Sequence, residues 1–302
     1  MSKVWFVTGS SRGLGRAIVT AALQEGDRVV AAARKPALLD DLVAEHGDRV
    51  RPVALDVTDD GAVRDAVREG LEVYGRYDVV VNNAGYGDLA SVEDTTIGAF
   101  RAQIDTNFYG VVHVSKAVTP ILRRQRHGHI LQVSSLGGRI TTAGLTAYQS
   151  AKWAVGGFSL GLAQEVAPFG VKVTVLEPGA MRTDWAGSSM TIPPISEPYQ
   201  QTVGAFADMF RNRTPRSRRR TPQTPLRWRV SSSTSPDATT LPPGSSSAAT
   251  RCATGRKPRR RWPNPTNRGA RSPSPLGLRA RPADHVTGLG RGRCARRGVG
   301  EI

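Results

Sequence analysis

The residues of this chain with the clearest chemical pattern are Ser135, Tyr148 and Lys152. Lys152 follows Tyr148 by four positions, so the two side chains share one face of any helix that contains them. A neighbouring ammonium group favours the phenolate and lowers the pKa of a tyrosine from about 10, so that it can exchange a proton near neutral pH. Tyr148 is the only one of the six tyrosines with a lysine at this spacing. A chance pair on an ordinary amphipathic helix is the alternative.

These residues lie within a regular alternation of predicted strands and helices. The predicted strands are continuously apolar, which is typical of a parallel sheet covered by helices on both faces. We predict strands at 3–8, 28–33, 50–55 and 78–81, within 128–134, and at 171–176. We predict helices after the loop at 9–15 and at 36–46, 59–74, 96–124 and 146–167. The predicted fold class is therefore α/β, with a parallel sheet at its centre.

Small and polar residues follow five of the six predicted strands. Ligands of parallel sheets bind beyond the carboxyl ends of the strands, so we expect these residues to meet in one crevice. They are Gly9, Asp56, Asn82, Asn83, Ala84, Gly85, Ser134, Ser135, Pro178 and Gly179.

A glycine-rich loop connects the first predicted strand to the first helix. Its sequence, TGSSRGLG from Thr8 to Gly15, lets the backbone approach a diphosphate at a helix N-terminus, where N–H groups are free and the dipole is positive. A plain turn is the alternative, but the position after the first strand favours a dinucleotide.

The end of the second predicted strand favours NADP(H) over NAD(H). An acidic residue there typically bonds the ribose 2′-hydroxyl of NAD, whereas an arginine accommodates a 2′-phosphate. This chain has Arg34 and Lys35 at that place and no carboxylate, and Arg12 in the glycine-rich loop is a second candidate phosphate ligand. Solvated loop cations are the alternative.

Three further polar positions have both an ordinary and a functional interpretation. Asn83 could belong to a plain turn, and Ser135 could cap a helix or loop. Asn107 falls inside a predicted helix, where asparagine is not favoured, which hints at a special role unless it faces solvent. The five histidines do not form a metal-ligand pattern, so we predict no metal site.

The composition changes abruptly near residue 210. Residues 1–210 carry 20 Lys and Arg against 22 Asp and Glu, whereas residues 211–302 carry 22 against 3, so the net charge of +17 comes from the last third. That third, rich in Arg, Pro and Ser, has no helical or strand periodicity, and we predict a disordered tail at 211–302 after a folded domain at 1–210. A frame-shifted reading, an inert extension and a nucleic-acid-binding arm are the three interpretations, in that order of preference; only Trp228 and Trp262 would supply aromatic contacts to a nucleic acid.

The remaining sequence features point to the cytoplasm. Residues 1–210 contain no cysteine, so a disulfide framework is excluded there. No signal peptide and no apolar run of membrane-spanning length is evident. We therefore expect a soluble, cytoplasmic protein without a membrane partner.

In combination, these motifs resemble the short-chain dehydrogenase/reductase family over residues 3–185. The resemblance implies a Rossmann-like, doubly wound sheet and an oxidoreductase that interconverts a ketone or aldehyde and an alcohol by hydride transfer. It implies a catalytic set of four residues: Asn107, Ser135, Tyr148 and Lys152. It also implies a cofactor-binding set: Gly9, Ser11, Arg12, Gly13, Leu14, Gly15, Arg34, Asp56, Val57, Asn83, Ala84, Gly85, Tyr148, Lys152, Pro178, Gly179 and Thr183.

The same resemblance implies a role for each catalytic residue. Tyr148 transfers the proton on the substrate oxygen, and Ser135 donates a hydrogen bond to that oxygen. Lys152 lowers the pKa of Tyr148 and bonds the nicotinamide ribose, while Asn107 holds a water that continues the proton relay. A catalytically silent nucleotide-sensing protein on the same fold is the alternative, although a sensor would not need these four residues.

The chain departs from the family's pattern beyond residue 210. The family's further helix and seventh strand are not found in 211–302, so the sheet is expected to have an unprotected edge. A substrate lid is expected at about 181–210, where Trp185, Met190, Ile192 and Ile195 suggest an apolar substrate, unless they simply pack on the domain. The family's usual contact between two long helices implies a homodimer or homotetramer, if the C-terminal part folds.

Overall fold

A six-stranded parallel sheet forms the centre of the molecule. The computed structural model describes residues 2–179 and 190–211. The predicted tail therefore lies outside the described residues, except for Arg211. The elements are β1 (Val4–Thr8), α1 (Gly13–Gln24), β2 (Arg28–Ala33), α2 (Asp40–His46), β3 (Val50–Ala54), α3 (Asp60–Tyr74), β4 (Val79–Asn82), α4 (Ile97–Ile104), α5 (Gly110–Gln125), β5 (Gly128–Val133), α6 (Thr146–Val166), β6 (Val171–Leu176) and α7 (Ala205–Arg211).

The strand order is β3-β2-β1-β4-β5-β6, and every pairing is parallel. The order reverses between β1 and β4, so a crevice opens there beyond the carboxyl ends of the strands. The predicted doubly wound α/β fold is confirmed. Within the described part of the chain, β6 lies at one edge of the sheet, as expected.

Two hydrophobic layers cover the sheet because side chains alternate along each strand. In β1, Val4 and Phe6 pack with residues of α3, α5 and α6, whereas Trp5 and Val7 pack with residues of α1 and α2. All four side chains are buried. This double burial explains why the strands are apolar at every position rather than at every second one.

Capping residues explain several of the helix boundaries. The Asp59 carboxylate accepts the backbone N–H of Ala62 at the start of α3, and the Thr96 hydroxyl accepts that of Ala99 at the start of α4. At the end of α3, Gly75 adopts a left-handed conformation with φ of +75°, which favours glycine.

The single long helix predicted at 96–124 is wrong in one respect. The helix is interrupted by a π-helical segment, Asp105–Tyr109, which separates α4 from α5 and contains Asn107. The N–H of Gly110 bonds the carbonyl of Asp105, five residues back. Such a widened turn leaves local backbone groups outside the regular i to i+4 pattern.

Candidate active site

A cavity of about 860 Å³ lies beyond the carboxyl ends of the strands. Its walls come from the loops after β1, β2, β3, β4, β5 and β6 and from the start of α6. The expected meeting of the strand ends in one crevice is therefore what the fold produces.

The glycine-rich loop packs closely against the segment after β4. The side-chain amide of Asn83 donates to the carbonyls of Thr8 and Gly9 at 2.9 and 3.2 Å. Gly9 has φ of +67°, and a Cβ on Gly15 would lie 2.2 Å from the Gly9 oxygen. Glycine is thus required at both positions to let the loop turn onto the N-terminus of α1.

The hydroxyl of Thr8 links the same two segments. Its Oγ accepts the backbone N–H groups of Asn83 and Ala84 at 3.0 and 3.1 Å. The same hydroxyl donates to the carbonyl of Val81 at 3.3 Å. The buried Thr8 therefore holds the ends of β1 and β4 in register on either side of the crevice.

One end of the cavity is positively charged. Arg12, Arg34 and Lys35 line it, and all three are exposed. The first turn of α1 contains no acidic residue, so its N–H groups and dipole are available to an anion. Asp56, the carboxylate at this end, accepts the N–H and hydroxyl of Thr58 at 3.0 and 2.8 Å. This end therefore suits a phosphate-bearing ligand.

Two hydroxyl groups meet at the other end of the cavity. A hydrogen bond joins the side chains of Ser135 and Tyr148, and the Ser135 oxygen also accepts the N–H of Gly137 at 3.0 Å. Ser135 follows β5, whereas Tyr148 is in the first turn of α6 and is 6% exposed. An oxygen atom of a ligand placed between them would meet two O–H donors.

Lys152 lies one helical turn after Tyr148, as the sequence spacing predicts. Its side chain is buried, and its ammonium group lies 5.7 Å from the centre of the Tyr148 ring. The ammonium donates to the carbonyl of Val133 at 2.8 Å. Burial lowers the pKa of Lys152 from 10.5 to about 8, so it is still mostly protonated at pH 7.

The expected lowering of the Tyr148 pKa is wrong for this structure. Burial is the largest influence and raises the pKa above its usual value, while the hydrogen bond to Ser135 lowers it in part. The ammonium of Lys152 is directed to Val133 rather than to the phenol oxygen. Tyr148 is thus a protonated phenol at neutral pH, which suits a proton donor.

Asn107 is fully buried in the π-helical segment. Its side-chain oxygen accepts the N–H of Tyr86 at 3.1 Å, and its amide nitrogen donates to the carbonyls of Tyr86 and Gln103 at 2.8 and 2.9 Å. The solvent-facing alternative is thereby excluded. Both amide donors are in use, so a water near Asn107 would need the second lone pair of its side-chain oxygen or a backbone carbonyl of the π-helical segment.

The cavity brings together nearly all of the predicted site residues. Gly15 lies behind the loop rather than on the cavity wall, and Thr183 lies outside the described residues. The predicted residues that line the cavity are Gly9, Ser11, Arg12, Gly13, Leu14, Arg34, Asp56, Val57, Asn83, Ala84, Gly85, Asn107, Ser135, Tyr148, Lys152, Pro178 and Gly179.

Of the four apolar residues named for the predicted lid, the three that the structure describes do not line the cavity. Met190, Ile192 and Ile195 pack instead against a buried cluster that includes Leu89 and Val203. The alternative that they simply pack on the domain is thus supported, while Trp185 lies outside the described residues.

Several further residues that line the cavity were missed by sequence reasoning. They come from the segment after Ser135, from the first residues of α6, from the loop after β4 and from α7, so no single sequence motif contains them. They are Tyr86, Leu136, Ile140, Thr142, Leu145, Gln149 and Phe206. The available signal was adjacency to a predicted site residue: Tyr86 follows Gly85, Leu136 follows Ser135 and Gln149 follows Tyr148.

The described residues contain neither a metal-binding cluster nor a membrane-spanning helix. No group of three or more His, Cys, Asp or Glu side chains there is arranged to hold a metal ion. No helix within that part of the chain combines the length and the apolar character needed to cross a membrane.

The family model for short chain dehydrogenases matches residues 3–191. The chain belongs to this family. Oxidoreductase BOA17 of Botryotinia fuckeliana is 66% identical over 212 residues, which cover 70% of this chain and 77% of that protein. The family and these relatives show that the chain is a short-chain dehydrogenase/reductase enzyme.

Solved structures show the same relationship. A short-chain dehydrogenase from Streptomyces avermitilis is 39% identical, with a TM-score of 0.67, and the match covers 70% of this chain and 78% of that one. The structure described as ElxO with NADP bound is 27% identical, with a TM-score of 0.59 and coverage of 61% and 76%. Short-chain dehydrogenases use NAD or NADP as cofactor, and relatives with bound NADP occur among the solved structures.

Proposed function

We propose that this enzyme reduces a ketone or aldehyde to an alcohol with NADPH, or runs the reverse reaction, with Tyr148 as the general acid or base. The observation that carries this proposal is the hydrogen-bonded pair of hydroxyls, Ser135 and Tyr148, beside the buried Lys152 in a cavity with a cationic opposite end. When bound, the nicotinamide supplies or accepts the hydride.

The residues present fit a dinucleotide. The close packing of Gly9 and Gly15 turns the loop so that the N-terminus of α1 faces the cavity, where a diphosphate would be held by backbone N–H groups. In this proposal Asp56, which lines the cavity, binds near the adenine ring. Arg34 and Arg12 favour the 2′-phosphate of NADP over the free hydroxyl of NAD.

The chain's own groups account for the proton. During reduction, Tyr148 gives its phenolic proton to the substrate oxygen, while Ser135 donates a hydrogen bond that stabilises the negative charge developing there. The nearby positive charge of Lys152 stabilises the phenolate that is left. Because burial raises the pKa of Tyr148, the proton is present on the phenol at neutral pH.

The substrate end of the cavity is largely apolar. Leu136 directly follows Ser135, Leu145 is three residues before Tyr148, and Ile140 and Phe206 also line the cavity. A carbonyl compound with an apolar body suits this surface, because burying such a body contributes about 25 cal/mol per Å².

The test is nucleotide oxidation by the full chain in the presence of a panel of ketones and aldehydes. We expect consumption of NADPH, with a kcat/KM at least tenfold higher than for NADH. In Arg34→Asp, the kcat/KM with NADPH should fall about 10- to 100-fold, because a charge-assisted hydrogen bond to phosphate contributes about 1.5–3 kcal/mol. Arg64→Ala, on the surface of α3, is the matched control. Equal use of NADH by the wild type would contradict the cofactor preference.

We also propose that two copies associate through α6 and the neighbouring helices α4 and α5. Trp153 and Leu160 on α6 are 52% and 60% exposed, and a Cβ on Gly157 or Gly161 of the same helix would meet open space. A flat apolar surface of this kind is typical of a contact between subunits.

Leu160→Glu is therefore expected to shift the protein from dimer or tetramer towards monomer, since it places a charge in the buried contact. Sedimentation velocity at micromolar concentration measures the change, with Val73→Glu, an exposed valine on α3, as the control. A wild type that sediments as a monomer would disprove the contact.

A further inference from the structure

Gln149 is a buried polar side chain that the proton chemistry does not use. It directly follows Tyr148 on α6, is 5% exposed and lines the cavity. An uncharged carboxamide in this place has to form hydrogen bonds, because a buried amide without a partner costs about 1–3 kcal/mol.

Within the described part of the chain, one half of this carboxamide has a hydrogen-bond partner and the other half has none. Its Oε1 accepts the backbone N–H of Thr142 at 3.1 Å, which fixes the orientation of the amide. Its Nε2 has no hydrogen-bond partner among the described residues. Within residues 2–179 and 190–211, the side-chain polar atoms that lack both a hydrogen-bond partner and solvent access are His46 Nε2 and Asn82 Oδ1. Gln149 Nε2 does not belong to this group, so it can be reached from the cavity. The two N–H donors of Gln149 are therefore open to a ligand.

The stem of the Gln149 side chain lies close to the side chains of Ser135 and Tyr148. A Cβ on Gly137 would be 3.3 Å from Gln149 Cγ, 3.4 Å from Tyr148 Cε1 and 3.4 Å from Ser135 Oγ, so the three side chains surround one glycine. Gln149 and Thr142 also border a shallow groove that adjoins the cavity. Gln149 therefore lines both the cavity that holds Ser135 and Tyr148 and the groove beside it.

The surroundings define the chemistry of the expected acceptor. Leu136, Ile140 and Leu145 line the same cavity and carry no charge, so a carboxylate beside the neutral amide of Gln149 would find no counter-charge among them. A neutral carbonyl oxygen needs only the N–H donor that Gln149 offers.

We infer that Gln149 binds a second, uncharged carbonyl oxygen of the substrate, and that the preferred substrates are oxo esters or diketones rather than simple ketones. This inference rests on the proposed carbonyl reduction at Ser135 and Tyr148. In it, Gln149 determines substrate preference and takes no part in proton transfer.

The test compares matched pairs of substrates: 2-, 3- and 4-oxo esters, each against the simple ketone of equal chain length. For each pair the measured quantity is the ratio of the two kcat/KM values with NADPH. We expect at least one oxo ester to exceed its ketone about tenfold or more in the wild type, since a hydrogen bond contributes about 0.5–1.5 kcal/mol and an unpaired buried donor costs more.

Two variants separate binding from structure. Gln149→Glu keeps an oxygen for the N–H of Thr142 but loses the donors, whereas Gln149→Met loses both. The ratio should fall about tenfold in each and stay unchanged in Gln24→Met, an exposed glutamine at the end of α1 that does not line the cavity or the groove. Thermal unfolding verifies that each variant is folded.

The possible failures are distinct. If the wild type reduces both members of each pair equally well, or if both decline together in Gln149→Glu, Gln149 is structural and the inference is overturned. If the wild type oxidises no NADPH with any carbonyl compound, the proposed function itself fails and the inference fails with it.

Discussion

Tyr148→Phe is expected to lower kcat for carbonyl reduction by about 10²- to 10⁴-fold, the usual contribution of a positioned proton donor. Phenylalanine fills the space of the buried ring but cannot protonate the substrate oxygen. It also removes the hydrogen bond to Ser135. Steady-state kinetics with NADPH and the best ketone of the panel measures the change.

Cofactor binding should be nearly unaffected in the same variant. The groups proposed to hold the diphosphate and the 2′-phosphate lie at the opposite end of the cavity, at Ser11, Arg12 and Arg34. Titration of NADPH fluorescence therefore should give a Kd within about threefold of the wild-type value. Tyr86→Phe, a second tyrosine on the cavity wall, is the control and should retain kcat within about fivefold. Turnover by Tyr148→Phe at the wild-type rate would refute the role of Tyr148.

The sheet and the backbone of the site could be predicted because their signals are local. The apolar run of β6, Val171–Leu176, has the boundaries predicted from the sequence. The glycines of the loop after β1 and the hydroxyl of Ser135 follow their strands directly, so placing the strands also placed the residues.

The parts that could not be predicted depend on contacts between distant segments. The π-helical turn around Asn107 involves a shift in backbone hydrogen bonding, which side-chain periodicity does not reveal. Asn107 holds Tyr86, 21 residues away, through two hydrogen bonds. Likewise, Ile192 looks like a substrate contact in the sequence, but it packs on a buried cluster because residues 190–211 fold back onto the domain.

The expectation that Lys152 lowers the pKa of Tyr148 was wrong for a related reason. The spacing of Tyr148 and Lys152 predicts their proximity correctly, but not how deeply both are buried or where the ammonium points. Burial acts on both pKa values, raising that of the phenol and lowering that of the amine. The carbonyl of Val133, which the ammonium contacts, is at the end of β5, and the spacing of Tyr148 and Lys152 on α6 carries no information about this contact.

Lys152→Met is expected to reduce kcat by about 10²-fold or more, because it removes the positive charge that stabilises the Tyr148 phenolate. The same change should alter how stability depends on pH. In the folded protein the pKa of Lys152 is about 8, against 10.5 for an ordinary lysine. Between these values the unfolded chain binds a proton that the folded chain does not, so the free energy of unfolding rises with pH across this window.

Lys152→Met has no ionisable group at this position and lacks the pH-dependent contribution of Lys152 to the unfolding free energy. Subtracting the unfolding free energy of the variant from that of the wild type therefore isolates this contribution. The unfolding free energy of the wild type minus that of Lys152→Met should increase by about 3 kcal/mol between pH 7.5 and pH 11, from the 1.36 kcal/mol that corresponds to each pKa unit. The lost hydrogen bond to Val133 shifts the difference by a constant and leaves its slope unchanged. Urea unfolding at a series of pH values measures it. A difference that is flat with pH would mean that Lys152 keeps its ordinary pKa, and the buried charge would then have to be stabilised by a partner other than Val133.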